Sequence, residues 1–397
     1  MPDTLIIAGG FRLPNGNAAA VRAIGLARLF QSLGLDVIIL GKISPDAPPI
    51  DGPTEIKVEG VRCLDIRRPF PRRSFPSYER SAESVMAVVA SLEDGRVPAI
   101  CLYNYPALGG RSVLSRCKVR GLAVILDCTE WYGWEGWNPL RNVLRIASSE
   151  FRLRWLTRLA GNVICASSWF RDTLPAENTV LLPFVVDASH VMWRPEPARV
   201  ATPGGARRFL YVGSPGLGLA KDRLDLAIEG FGELKSLEID FLFRVAGLTR
   251  KDYLSVRPNH AALLTAMGAR FQFLGRVSHA EALAELRAAD YSLFFRKPGR
   301  VANTGFPTKY AEAASLGIPV ITNPTSDLSN YLRDGVNGFM AEGISPVAIA
   351  KTLSRAAGQD DRALLAMKRR CASLNPFDIP QRQAAAREFL NKLRGVR

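Results

Sequence analysis

The residues best spaced for chemistry lie in Asn303-Thr-Gly-Phe-Pro-Thr-Lys-Tyr-Ala-Glu-Ala-Ala-Ser-Leu-Gly-Ile-Pro-Val-Ile-Thr322. Gly305 and Pro307 predict a tight loop, and Thr308 is placed to N-cap a helix over 309–316. Unpaired N–H groups at such a helix start, together with the helix dipole, attract phosphate. Lys309, in the first turn, adds a charge-assisted contact suited to a diphosphate. Glu312 follows at i+3, where a carboxylate can accept two hydrogen bonds from a ribose diol; the alternative is a solvated Lys309–Glu312 pair. A second candidate run is Leu126-Asp-Cys-Thr-Glu-Trp-Tyr-Gly-Trp134. Asp127 or Glu130 there is positioned to orient or deprotonate a hydroxyl. The other reading is that Asp127 caps a turn and the tryptophans pack.

Both runs sit in an alternation of strands and helices. The strand 4–8, a glycine loop over 9–17, a helix over 18–33 ending at Gly34 and the strand 36–40 make a βαβ unit, which predicts a parallel sheet. Further strands are expected at 99–103, 123–126 and 163–166. A stretch rich in Pro, Gly and Arg, 188–207, reads as a linker between a domain over 1–187 and another over 208–377. In the second, the alternation restarts with strands at 209–213, 240–246, 271–275, 291–295 and 319–322, and helices at 222–237 and 280–289. A last amphipathic helix, 379–393, is expected to pack back on the first domain. The fold class is therefore α/β, with two Rossmann-like, doubly wound parallel sheets whose carboxyl ends face a central cleft.

Composition narrows the function. The 397 residues carry 52 Lys and Arg against 37 Asp and Glu, a net charge of +15, which suits a polyanionic neighbour: nucleic acid, an anionic membrane leaflet or phosphorylated small molecules. No helix-turn-helix, zinc-finger or aromatic RNA-binding signature accompanies the charge, so no nucleic-acid partner is expected. Three histidines, all after position 187, exclude a histidine-rich metal centre and a catalytic histidine in the first half. Six scattered cysteines with no Cys-x-x-Cys fit a reduced compartment. The opening residues lack a basic, long apolar leader, so a cytoplasmic protein is expected.

The 303–322 segment resembles the donor-binding signature of the group 1 glycosyltransferases, a retaining family of GT-B fold, in the branch reading Pro-x-Lys-x-x-Glu and then Gly-x-Pro-Val-Ile. The resemblance implies that Glu312 grips the nucleotide ribose. It places Thr304 where the family carries a glutamate that helps hold the transferred sugar. Leu210-Tyr-Val-Gly-Ser214 resembles the opening strand and loop of the family's second domain. Gly213 and Ser214 then lie at the donor, Lys221 is the shifted counterpart of a diphosphate lysine, and Arg223 or Arg296 stands in for an arginine replaced by Ser214. Phe273-Leu-Gly-Arg-Val277 resembles the turn that meets the nucleobase, which brings in Arg276 and Val277. Gly10, Gly16 and Asn17 resemble the first domain's glycine loop, beside an Asn15 of the same kind. Gly305, Phe306 and Thr308 complete the donor set.

The implied activity is metal-independent transfer of a sugar from a nucleoside-diphosphate sugar, with retention, to a saccharide or lipid-linked acceptor. Lys221 and Lys309 would serve the leaving group, and Glu130 or Asp127 the acceptor. No cofactor is implied, because the nucleoside-diphosphate sugar is itself a substrate. The absence of Asp-x-Asp agrees with a site without metal. A sugar-nucleotide epimerase and a degenerate binding protein of the same fold are the alternatives, the second favoured by Thr304 and Ser214. Two basic and aromatic sets suit an anionic membrane surface: Arg67, Arg68, Arg72, Arg73 and Arg80 with Phe70, Phe75 and Tyr78, and Arg141, Arg145, Arg152, Arg154 and Arg158 with Leu144, Phe151 and Trp155. A solvated basic face is the other reading of both.

Overall fold

The computed structural model describes residues 3–14, 16–43, 55–65, 77–92, 98–219, 221–235, 239–393 and 395, with backbone only for 77–81 and 235. Asn15, Arg67, Arg68, Phe70, Arg72, Arg73 and Phe75 lie outside the described residues, as do the side chains of Tyr78 and Arg80.

Two compact units share the chain. The first comprises Met1–Asp187, Thr304–Phe306 and Phe377–Arg397; the second comprises Ala188–Asn303 and Pro307–Pro376. Among the described residues, the first unit holds eight strands: β1 (Thr4–Leu13), β2 (Asp36–Ile43), β3 (Glu55–Val58), β4 (Val61–Asp65), β5 (Pro98–Tyr103), β6 (Val124–Cys128), β7 (Asn162–Cys165) and β8 (Asn178–Leu181). Their order is β3-β4-β2-β1-β5-β6-β7-β8, parallel throughout except for the β3–β4 hairpin. The continuous apolar runs of β1, β2, β5 and β6 explain the arrangement, since a parallel sheet is covered on both faces. Leu5, Ile7, Val37 and Ile39 pack on one side with Phe30, Phe389 and Leu390; Ile6, Leu102, Leu126 and Val163 pack on the other with Leu153 and Phe170.

The second unit holds β9 (Arg207–Val212), β10 (Phe241–Ala246), β11 (Phe271–Gly275), β12 (Tyr291–Leu293), β13 (Val320–Thr322) and β14 (Gly338–Met340), all parallel, in the order β11-β10-β9-β12-β13-β14. That is the doubly wound dinucleotide-fold order, with its switch point between β9 and β12.

The stretch 188–207, expected as a linker, instead belongs to the second unit. Its backbone is tied there by Ala201 N–H to Asp290 (2.8 Å) and by Lys368 Nζ to the carbonyl of Arg199 (2.8 Å), so it cannot swing as a free tether. The helix Ile379–Asn391 belongs to the first unit, where Asn178 donates to the carbonyl of Phe389 (3.1 Å). All six cysteines are buried thiols; burial pushes Cys63, Cys128 and Cys371 up to about 12, which makes them unreactive packing.

Candidate functional site

Open α/β sheets bind ligands beyond the carboxyl ends of the strands that flank the switch point. In the second unit this is where Gly213 leaves β9 and Arg296 follows β12. Gly213 has φ +99° and Gly247, after β10, has φ +128°, a region that favours glycine. A Cβ on Gly247 would lie 2.3 Å from the carbonyl oxygen of Gly213, so the two loops can approach this closely only because position 247 has no side chain.

Lys309 reaches into this loop from the first turn of the helix Thr308–Ser315. Its ammonium donates to the carboxylate of Asp222, to Tyr211 Oη (2.7 Å) and, more distantly, to the carbonyl of Ser214 (3.5 Å). Arg296 Nε donates to the other oxygen of Asp222 (2.9 Å). One fully buried carboxylate thus faces two cations and a phenol, leaving a net positive charge at the switch point. Burial opposes ionisation of Asp222, but Lys309 and Arg296 outweigh it and hold the acid well below the usual carboxylate range. Burial lowers Lys309 to about 8 against the pull of Asp222, and burial followed by Asp222 raises the Tyr211 hydroxyl far above its usual value. Asp222 and Tyr211 had no sequence signal of this role: Asp222 reads locally as the start of a helix, and Tyr211 as a strand residue.

The remaining candidates fall in place as follows. Glu312 stands one turn beyond Lys309, half-buried, with Oε1 3.6 Å from Nε2 of His279. Ser214 is exposed and its hydroxyl accepts from Gly216 N–H (3.3 Å). Lys221 is exposed, with its backbone N–H on the carbonyl of Pro215 (2.9 Å), and Arg276 and Val277 follow β11 at the surface. Arg223 is committed to Asp225 through two 2.9 Å hydrogen bonds, and Arg296 to the buried Asp222 through one of 2.9 Å. Thr308 does not cap its helix. Pro307 occupies the cap position, with no side-chain cap, which leaves the first N–H groups unclaimed by a side chain.

In the first unit, Asn17 caps the helix Ala18–Gln31 through Ala20 N–H (2.9 Å), with Gly16 N–H on the carbonyl of Arg12 (2.7 Å) and Gly10 exposed. Thr304, Gly305 and Phe306 cluster with this unit: Ser167 Oγ donates to the carbonyl of Thr304 (2.7 Å), Phe306 packs on Phe377, and a Cβ on Gly305 would lie 2.9 Å from the carbonyl oxygen of Thr129. Thr304 is fully buried.

Glu130 is half-buried just beyond β6, its carbonyl held by Arg152 (2.8 Å). Asp127, the next-to-last residue of the same strand, is a correction. It is buried beneath Arg22, which takes both of its oxygens (2.6 and 2.9 Å) and spans to the carbonyls of Leu182 and Pro183. A carboxylate so enclosed meets no acceptor; it fixes β6 to the helix Ala18–Gln31.

Residues 206–359 match the family described as Glycosyl transferases group 1. No curated protein matches the chain. Among solved structures, the sucrose-phosphate synthase of Thermosynechococcus elongatus superposes with a TM-score of 0.69 at 15% identity, over 98% of this chain and 99% of that one. Anabaena HepE in complex with UDP and glucose gives 0.66 at 14%, over 98% and 100%. The E. coli trehalose-6-phosphate structure bound with UDP-2-fluoro glucose gives 0.61 at 11%, over 99% and 100%. Identities this low speak for the fold alone, and that fold is GT-B, with two parallel-sheet α/β domains.

Proposed function

Starting from a segment, 206–359, that carries the group 1 glycosyl transferase pattern on a GT-B fold, we propose that this protein transfers a sugar from a nucleoside-diphosphate sugar to a saccharide or lipid-linked acceptor. Transfer proceeds with retention and without a metal ion, in the assembly of cell-surface polysaccharide or glycolipid. The observation that carries the reading is the net positive cluster of Lys309, Arg296 and Asp222 at the second sheet's switch point, beside the uncapped start of the helix Thr308–Ser315. There the diphosphate of the donor meets an ammonium and free N–H groups, and the same groups stabilise the charge that grows on the departing diphosphate. Glu312, one turn along, takes the ribose hydroxyls, and Glu130 orients the acceptor hydroxyl.

A thermal-shift panel of UDP, GDP, ADP, CMP and dTDP tests the donor class, with UDP first because HepE was solved with it. One diphosphate is expected to stabilise the wild type, by about 2.7 kcal/mol at a hundredfold excess over its Kd, and to stabilise Glu312→Ala much less. If no nucleotide stabilises the wild type, the transferase reading falls and the non-enzymatic one replaces it.

The cluster also predicts a pH dependence. Lys309 loses its proton near pH 8, so diphosphate affinity is expected to fall as pH rises through that value. The loss should be roughly ten- to a hundredfold, the worth of one charge-assisted hydrogen bond. Titration calorimetry on Lys309→Met should give weaker binding with a flat profile over the same range; an unchanged alkaline decline in that variant would assign the titration to another group.

The acceptor side of the proposal includes an anionic membrane surface. The helix Pro139–Phe151 exposes Leu140, Val143 and Leu144 on one face, with Trp134 and Trp137 just before it and Trp155 just after. Arg141 and Arg158 stand exposed among them, while Arg145 and Arg154 pair with Glu135 and Glu150. Aromatic and aliphatic anchors rimmed by arginine suit a lipid interface. Arg152 is the exception within the set, being buried under Glu130. Among the described residues no helix is long and apolar enough to cross a membrane. Wild-type protein is expected to sediment with phosphatidylglycerol vesicles and not with phosphatidylcholine vesicles, and Leu140→Glu with Leu144→Glu to abolish it; undiminished sedimentation of that variant rules this face out.

A further inference from the structure

A second polar residue faces Glu312. His279 is the first residue of the helix His279–Ala288, whose start is fixed by a reciprocal cap: Ser278 Oγ accepts from Glu281 N–H (3.2 Å) and Glu281 accepts from Ser278 N–H (2.7 Å). With the backbone pinned, the imidazole lies against the indole of Trp193, ring centroids 5.8 Å apart. Both ring nitrogens are buried, and neither has a hydrogen-bond partner among the described residues. Nε2 is 3.6 Å from Glu312 Oε1, beyond direct hydrogen-bond reach.

Buried polar atoms without partners are few in folded proteins, because each forfeits its hydration. Of the two on this imidazole, Nε2 faces the Glu312 carboxylate, and that pair asks for a third group between them. A hydroxyl about 2.8 Å from each atom fits between two acceptor and donor sites 3.6 Å apart, giving its proton to Glu312 and accepting from Nε2–H. The proposed function, on which this step rests, assigns Glu312 to the ribose; it leaves His279 without a task.

We propose that His279 is a second ligand of the ribose diol, bracketing one hydroxyl with Glu312 and thereby setting the site's preference for ribonucleotide over deoxyribonucleotide donors. The carboxylate alone accepts from either hydroxyl and tolerates the loss of one. The imidazole donor makes that loss costly, because removing the hydroxyl leaves both Glu312 and Nε2 unpaired.

The informative variant is His279→Phe, which keeps a ring against Trp193 and removes both nitrogens. Since those nitrogens have no hydrogen-bond partner among the described residues, the variant should melt at or above the wild-type temperature, which a structural role for the imidazole would not allow. Kd values are compared by calorimetry for UDP, 2′-deoxy-UDP and 3′-deoxy-UDP, and for GDP and its two deoxy analogues, with His279→Gln and Glu312→Ala alongside. The wild type should prefer the ribonucleotide over at least one analogue by about tenfold or more, the scale of one lost hydrogen bond with a partner left unpaired. His279→Phe should erase that same preference while binding the analogue as tightly as wild type, and His279→Gln should restore part of it. If Glu312→Ala loses the preference and His279→Phe keeps it, the role of His279 is overturned while the donor reading stands. If the wild type binds none of these nucleotides, the donor reading falls and takes this one with it.

Discussion

Asp222→Ala is expected to lower the melting temperature of the second unit by about 6–20 °C. Asp222 is wholly buried and accepts from Lys309, Arg296 and Tyr211. Its removal leaves two cations facing each other out of water, and breaking a buried ion pair by deleting one partner costs about 3–5 kcal/mol. For a unit of this size each kcal/mol is worth roughly 2–4 °C. The electrostatic origin gives the loss a signature. Lys309→Met made in the Asp222→Ala background should recover part of the stability, so the two changes are not additive. In the wild type the same carboxylate contributes a stability that is present above the ordinary aspartate pKa of about 3.9 and lost as pH falls toward its depressed native value, because the unfolded chain then binds the extra proton. Asp222→Ala should lack that part of the acid limb. A loss under 1 kcal/mol, or strict additivity with Lys309→Met, would mean the carboxylate is not what holds the cations together.

What sequence made visible and what it hid divide along chain distance. Lys309 and Glu312 could be matched to a diphosphate and a diol because they are three residues apart on one helix, where spacing fixes their relation before any tertiary contact forms. The parallel sheets were equally local in origin, since runs such as Leu5-Ile-Ile-Ala8 and Val37-Ile-Ile-Leu40 announce strands buried on both faces. The hairpin of the edge strand β3 and its neighbour β4 escaped because both are short and, with Glu55, Lys57, Arg62 and Asp65, charged enough to resemble loop. The partners that decide what the charged residues do come from far away. Asp222 meets Lys309 across 87 residues and Arg22 meets Asp127 across 105, and no local pattern encodes either pairing. Thr308 as a cap failed for a local reason: Pro307 already supplies the extended residue before the helix, so the threonine side chain is inside the first turn.

That distance effect sets up the sharpest contrast in the first unit, between two acids three residues apart. Asp127→Ala is expected to destabilise by about 3–5 kcal/mol, because Arg22, bidentate to Asp127 and itself buried, would be left with a desolvated charge. Burial alone would lower the arginine's proton affinity; Asp127 more than offsets it, so the pair is set for a charge on both sides. Glu130→Gln, which keeps the size and hydrogen-bonding reach of the side chain, should leave the melting curve within about 0.5 kcal/mol of wild type. Its effect belongs in turnover. With the donor site untouched, donor affinity should hold while kcat falls by about 10²–10⁴, the usual worth of a positioned general base. The two acids therefore fail differently, one in thermal unfolding with the remaining folded fraction active, the other in kcat with the fold intact. Reversal of the pattern, with a stable Asp127→Ala that is inactive and a fully active Glu130→Gln, would return Asp127 to the acceptor and make Arg22 its positioning partner.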